Sequence, residues 1–349
     1  MTNGANCAII EERTRKGVDE MKQETFTDME YANRKRITRK EEFLDAMEGM
    51  VPWERWIDMI APYYPKGERG RPPRGIETML RMYLLQLWFN LADERVEDTI
   101  YDSYAMRKFM GINFLEESVP DATTLLKFRH LLETHELGKT LFDELNGILE
   151  EYGYILRGGT IVDATIISAP KSTKNKEKAR DPEMHSTKKN STYYFGMKCH
   201  TGVDAFSGLV HTIEVTAANE ADVAVAHKLF RQDDTDGWGD AGYVGIEARE
   251  EIKNVEHLAK MAFHVNCRRS SLPKLPEGMV NWDREIEKMK SSVRNKVEHP
   301  YRVIKCLFGY RKTVYRGLAK NKNRLYLLFA SSNLYMLIMA GRRTLSPAW

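Results

Sequence analysis

The chain has little cysteine: four residues, Cys7, Cys199, Cys267 and Cys306, lie far apart in 349. No Cys-x-x-Cys pair occurs and no histidine stands at ligand spacing beside them, which argues against a zinc site and against a disulfide framework. An apolar N-terminal run of the kind that directs secretion is also missing. A reducing cytoplasm is the expected compartment. The longest apolar stretch, Leu325 to Gly341, falls short of the roughly 20 residues that span a bilayer and is interrupted by Ser331, Ser332 and Asn333. It reads as a helix buried against a sheet. Acid is the scarcest commodity at the C-terminal end, where His299 to Trp349 holds no Asp or Glu and ten Lys or Arg. The preceding 298 residues then hold 43 cations against 50 acids, a net of −7. An acidic body with a basic end fits a polyanionic partner, most simply nucleic acid.

What is present suits a globular chain of about two domains, since 42% of residues are hydrophobic and 30% charged. Residues 1–24 show no hydrophobic period and are expected to be a disordered leader. Residues 25–155 read as a helical N-terminal domain: an amphipathic stretch from Lys40 to Ile60, a loop rich in Pro, Gly and Arg, then IETMLRMYLLQLWFNL, apolar nearly all round and expected to be a central buried helix. Asp121 is placed to cap the helix that follows it.

Residues 156–349 change period. TIVDATIIS is short and β-branched, as strands are. YYFGMKCHTGVDA and GLVHTIEVT read as a hairpin turning at Phe206 to Gly208, and Asn219 as the N-cap of a helix reaching about Arg231. A strand ending near WGDAG, a charged helix around Glu247 to Val255, the strand AFHVN and the helix WDREIEKMKSSVRNKV complete the order. Three strands, helix, strand, helix, strand, helix is the order of a ribonuclease-H-like domain. The fold class is therefore mixed α and β, a helical region followed by a mixed five-stranded sheet with helices. The polar stretch from Asn175 to Thr192 reads as an exposed loop.

Three carboxylates stand out by position. Asp163 interrupts an apolar strand, where a charge is costly without a partner or a metal. Asp240 closes a strand at the carboxyl end, where open α/β sheets place ligands. Glu298 opens VEHPYRVIK beside basic residues. Phosphodiester chemistry needs such oxygen ligands converging from separate elements, so that two Mg²⁺ about 3.5–4 Å apart can flank a phosphate. Asp204, Glu214 and Asp222 read instead as turn and first-turn residues, and His200 and His211 as hydrogen-bonded hairpin histidines.

The segments GRPPRGIETMLRMYLLQLW, PDATTLLKFRHLLE, GTIVDATIISAPKSTKN, DPEMHSTKK, YYFGMKCHTGVDAFSGLVH, GDAGY, KVEHPYRVIKCLFGY and YRGLAKN together resemble the DDE-type transposases of bacterial insertion sequences. The likeness is to the IS-four and IS-five superfamily, nearest the IS-five-like members, and runs from about Thr25 to Met339. It implies that Asp163, Asp240 and Glu298 form the DDE triad holding two Mg²⁺, with Mn²⁺ able to substitute. It also implies a signature of Tyr, Arg, Glu and Lys that falls on Arg294, Glu298 and Lys305, with Ser291 at the Tyr position. Arg294 and Lys305 suit phosphate binding, and Arg302, Arg311, Lys312, Arg316 and Lys320 offer the basic segment to the DNA backbone. The partners so implied are double-stranded DNA, both the element's terminal inverted repeats and the target, and a second copy of the chain once DNA is bound, on the nucleoid and away from membrane. Arg34 to Lys40 and Lys66 to Arg74 are the N-terminal candidates for end contacts. Two other functions fit the same residues: a regulator that binds repeats without cutting, and a ribonuclease-H-like nuclease with another substrate.

Overall fold

In a computed structural model, residues 31, 33–67, 72–114, 117–174, 176, 178–189, 191–268 and 282–345 are described, the side chains of 342–345 aside. The expected leader lies outside them. Among the described residues, seven α-helices of more than one turn precede the sheet: α1 Arg39–Met50, α2 Trp53–Ile60, α3 Ile76–Phe89, α4 Asp93–Asp102, α5 Tyr104–Met110, α6 Ala122–Thr134 and α7 Leu137–Glu151. The amphipathic stretch to Ile60 is thus two helices, parted at Val51 and Pro52, both with non-helical backbone angles. Asp121 caps α6 as expected, its carboxylate accepting from Thr124 N at 2.6 Å. From Met79 to Trp88, α3 buries every residue but Arg81, so it is the central helix its composition implied.

The sheet has six strands among the described residues: β1 Gly159–Ser168, β2 His185–Lys189, β3 Thr192–Asp204, β4 Val210–Ala217, β5 Asp236–Gly239 and β6 Ala262–Val265. Strand order is β2-β3-β1-β5-β6, with β4 also on β3, and the β1–β5 and β5–β6 pairs are parallel while the others are antiparallel. Five strands stand where the sequence placed them. The sixth, β2, corrects the reading of 175–192 as loop throughout: HSTKK is polar because four of its five residues are exposed, and its backbone pairs with the start of β3.

Between strands run α8 Asp222–Val225, α9 Glu250–Lys253 and α10 Glu256–Ala259, all of one turn, and then α11 Trp282–Arg294, α12 Glu298–Arg302 and α13 Leu318–Leu345. The helix expected from Asn219 to Arg231 is therefore much shorter and is capped by Ala221. Lys198, on β3, donates to the Glu220 carbonyl at 2.7 Å and pairs with Asp222 at 2.9 Å, which delays the first helical turn.

One large core joins the N-terminal helices to one face of the sheet and to α13; Val162, from the other face of β1, belongs to a smaller core with Leu229, Tyr243 and Ile246. The polar residues of the apolar helix have defined work. Asn333 accepts from Val210 N at 2.9 Å and donates to Val210 O at 2.7 Å, acting as a strand partner for the start of β4. Helices α7 and α13 meet at Gly138, where an added Cβ would lie 2.4 Å from Asn323 Oδ1. Among the described residues no helix is long and apolar enough to cross a membrane.

Candidate nucleic-acid processing site

Parallel pairing fixes the first two acids. The β1–β5 register aligns Gly159 with Asp236 and Ile161 with Trp238. Continued two residues, it brings Asp163 beside Asp240 at the carboxyl end of β5, on strands about 4.8 Å apart. Asp240 Oδ1 accepts from Gly242 N at 2.8 Å, capping the tight turn Ala241–Tyr243. Asp163 Oδ1 accepts from Ala164 N at 2.8 Å, and its Oδ2 lies 3.9 Å from Arg294 Nη1.

The Asp163 side chain is only 18% exposed. Burial, above all, pushes its pKa up to about 7; the Ala164 N–H and Arg294 oppose that rise, and the charges of Asp240 and Glu298 add to it. Each acid named by sequence is thus close enough to be felt at Asp163. Glu298 itself is exposed at the first position of α12.

Position of Glu298 is set by contacts on either side of it. Two residues earlier, Lys296 donates to the Ala205 and Phe206 carbonyls at 2.7 and 3.0 Å, on the β3–β4 turn. Three residues later, buried Tyr301 shares a hydrogen bond of 2.6 Å with Thr201 Oγ1. Thr201 is the cross-strand partner of Asp163, so the two side chains share a face, and Tyr301 seats the Glu298 turn against that face. Seven residues later, Lys305 donates to the Ile166 carbonyl on β1 at 2.8 Å. The motif spacing pointed to Lys305; Lys296 and Tyr301 were not singled out, although Tyr301 follows Glu298 by one helical step. Pro300 falls within the first turn of α12, where its missing N–H is tolerated, and a π-helical turn, Val303–Leu307, carries Lys305.

The donor set suits a hard divalent cation. All three acids offer oxygen, and the clustered charge that raises Asp163 is what such a cation relieves. Among the described residues, no three His, Cys, Asp or Glu side chains already stand together as a metal-holding group. Arg294 supplies the counter-charge at Asp163 in this arrangement.

The basic residues separate into two kinds. Arg302, Arg311, Lys312, Arg316 and Lys320 are exposed. Lys305 is half-buried on its carbonyl, and Lys322 pairs with Glu214 at 2.9 Å. Arg324 is fully buried, donating to Tyr315 and Asn90. The +10 of the C-terminal segment therefore overstates its surface charge. Of the N-terminal candidates, Arg34 pairs with Glu41, Lys40 lies over the Phe89 ring, and Arg74 donates to Ser118 at 2.7 Å; residues 68–71 lie outside the described ones.

Residues 204, 200, 211 and 222 serve structure. Asp204 accepts from Phe206 N, Ser207 N and Ser207 Oγ, which closes the hairpin turn. His211 meets the Thr160 and Thr212 hydroxyls, and His200 meets Thr216 at 2.8 Å. Burial lowers the pKa of both rings and keeps them neutral.

A family model described as "Transposase DDE domain" matches residues 156–334, just over half of the chain, and one described as "Transposase domain (DUF772)" matches residues 32–131. Among solved structures, the chain is similar to the piggyBac transposase in its synaptic complex with hairpin DNA, at a TM-score of 0.44 and 10% identity, over 87% of this chain and 73% of that one. With more than half its length matched by that first model, the chain belongs to the DDE transposase family.

Proposed function

We propose that the chain is the transposase of a bacterial insertion sequence of the IS-five-like kind, which binds the ends of its element, cuts a strand to expose a 3′-hydroxyl and joins that hydroxyl to target DNA. The observation that carries this reading is the position of Asp163 on β1 and of Asp240 just past the end of the parallel strand β5, with the Glu298 turn held against the same face by the Tyr301–Thr201 hydrogen bond. In it, Asp163, Asp240 and Glu298 hold Mg²⁺, with Mn²⁺ as a substitute. Two such ions would supply Lewis acidity to the scissile phosphate and lower the pKa of the attacking hydroxyl.

The chain's own residues do the rest. Arg294, already against Asp163, is placed to grip a phosphate oxygen with its planar fork once that charge is neutralised. Tyr301 and Lys296 keep Glu298 at a fixed height over the sheet. Lys305, Arg302, Arg311, Lys312, Arg316 and Lys320 line the DNA backbone, residues 25–155 contribute end binding, and residues 156–349 carry the chemistry. A homodimer assembles on DNA, each copy holding one end.

The test is nicking and joining of element-end DNA in Mg²⁺ by Asp163→Asn, Asp240→Asn and Glu298→Gln, with Asp222→Asn as the neighbouring control at equal protein concentration. Loss of both reactions in the first three, with binding kept, is the expected outcome. Retained cleavage in any of the three removes that residue from the site. Equal loss in Asp222→Asn overturns the choice of acids.

A further inference from the structure

The segment that leads into β2 and on to β3 is unusually basic for a strand edge. From Lys171 to Tyr193 the sequence holds seven Lys or Arg and three acids. Two of those acids bond backbone at the start of α13: Asp181 accepts from Gly317 N at 2.7 Å and Glu183 from Leu318 N at 2.8 Å. The cations face outward. Lys171, Lys188 and Lys189 are exposed, and Tyr193, 65% exposed, has Lys188 Nζ 5.6 Å from its ring and Lys171 Nζ 3.3 Å from its carbonyl.

This edge is firmly seated. Met184, before β2, and Phe195, on β3, are both buried in the large core. The Ser168↔Lys312 bridge ties the end of β1 to the start of the basic C-terminal segment, with Thr313 N donating to Ser168 O at 2.9 Å. Lys312 therefore lies across β1 from the β2–β3 pair. A strand pair bearing exposed lysines and an exposed ring, with Asp181 and Glu183 bonded to backbone, is a surface suited to a polyanion.

Its distance from the acids sets what it can reach. Tyr193 lies eight residues along β3 from Thr201, the cross-strand partner of Asp163, about 27 Å at 3.3–3.4 Å per residue, which is about eight base pairs of duplex at 3.4 Å each. We infer that the β2–β3 hairpin, through Lys171, Lys188, Lys189 and Tyr193, is a backbone contact for double-stranded DNA about eight base pairs from the phosphate at Asp163. The inference rests on the proposed function and adds to it a DNA-contacting element outside the C-terminal segment and the helical region.

The test uses the full chain and a 40-base-pair duplex of arbitrary sequence, followed by fluorescence anisotropy from 50 to 300 mM KCl. Each phosphate that is no longer neutralised reduces the slope of log K against log salt by about 0.9, so Lys188→Gln with Lys189→Gln should flatten it by about 1.8. Lys188→Arg with Lys189→Arg should keep the wild-type slope, showing that charge and not folding is what the Gln pair removes. Lys253→Gln with Lys260→Gln, on α9 and beside α10, should also keep it. A wild-type slope in the Gln pair, with wild-type protein binding the duplex, overturns the hairpin contact and leaves the proposed function standing. If wild-type protein shows no salt-dependent binding to this duplex or to element-end DNA, the proposed function fails and the hairpin contact fails with it.

Discussion

Replacing Asp163 by Asn should make the metal-free protein more stable at pH 8, because the carboxylate proposed as a metal ligand is one whose charge the fold disfavours. Its pKa rises from 3.8 to about 7 on folding, mainly through burial. The folded state therefore holds its proton more tightly than the unfolded state, and stability falls as pH climbs through that window. Below pH 3.8 both states are protonated and no penalty exists. Above about pH 7 it is complete, at most about 4 kcal/mol for a three-unit shift. Asn keeps the shape and carries no charge. With an unfolding entropy of about 2.1 cal/mol/K per residue, the 349-residue chain would gain up to about 6 °C in Tm at pH 8 in EDTA. At pH 5 the gain should shrink to roughly a third. Adding Mg²⁺ should raise the Tm of the wild type, by about 2.7 kcal/mol of stabilisation at a hundred times Kd, and leave the variant nearly unmoved. Calorimetry at both pH values, with and without Mg²⁺, checks this. A pH-independent difference, or an Asn variant less stable than wild type at pH 8, would refute the account of Asp163 as a strained, cation-seeking carboxylate.

Tyr301→Phe should cost about 1 kcal/mol and lower the nicking rate while leaving affinity for element-end DNA unchanged; the pair with Thr201→Val should recover most of the stability and none of the rate. Denaturant melts and single-turnover nicking read the two effects separately. Asn333→Leu should destabilise by about 2–4 kcal/mol, because the Val210 N–H and C=O lose their partner in a buried place, and the loss should appear as early hydrogen exchange at Val210. Gly138→Ala should lower the Tm by several degrees, since its Cβ would meet Asn323 Oδ1 at 2.4 Å and backbone oxygen at 2.5 Å and α7 must move off α13 to admit it. An unchanged Tm for that variant would show that the two helices can part at no cost.

Strand alternation and turn residues make most of the sheet legible in the sequence. The β3–β4 hairpin announces itself through β-branched residues bounded by Gly and Asp, β5 and β6 are short runs read from the order of elements around them, and the acids can be picked out because each is out of character for its surroundings. β2 is hidden because its signal is absent: HSTKK has no apolar residue, its strand character coming from pairing with β3 and not from burial. The helix after Asn219 reads too long for the opposite reason. Its local sequence is a good helix start, and a tertiary contact from Lys198, some twenty residues back, overrides it. Charge counting along the C-terminal segment mistakes Arg324 for surface, since a count along the chain does not distinguish a solvated guanidinium from one enclosed by Tyr310, Tyr315 and Asn90. The tie between Tyr301 and Thr201 joins residues 100 apart in sequence and has no periodic signature at all.

The same core organisation bears on how end binding and chemistry are connected. α13 packs against β4 on one side and α1, α3, α6 and α7 on the other, and its buried residues sit in one apolar cluster with those of the N-terminal helices. A helix of 28 residues spans about 42 Å, so one rigid rod touches the helical region, the sheet and, through Tyr310 and Asn321 at 2.8 Å, the segment following the π turn. Interiors packed in this way transmit displacement and do not absorb it. If element ends dock on the helical region, as proposed, a shift of α1 or α3 would act on α13, and through it on the strand pair β3–β4 that seats Tyr301 and Lys296. The acid at position 298 is the most exposed of the three and the only one carried on a helix. Of the three proposed ligands it is the one that such a shift would move most directly relative to Asp163 and Asp240.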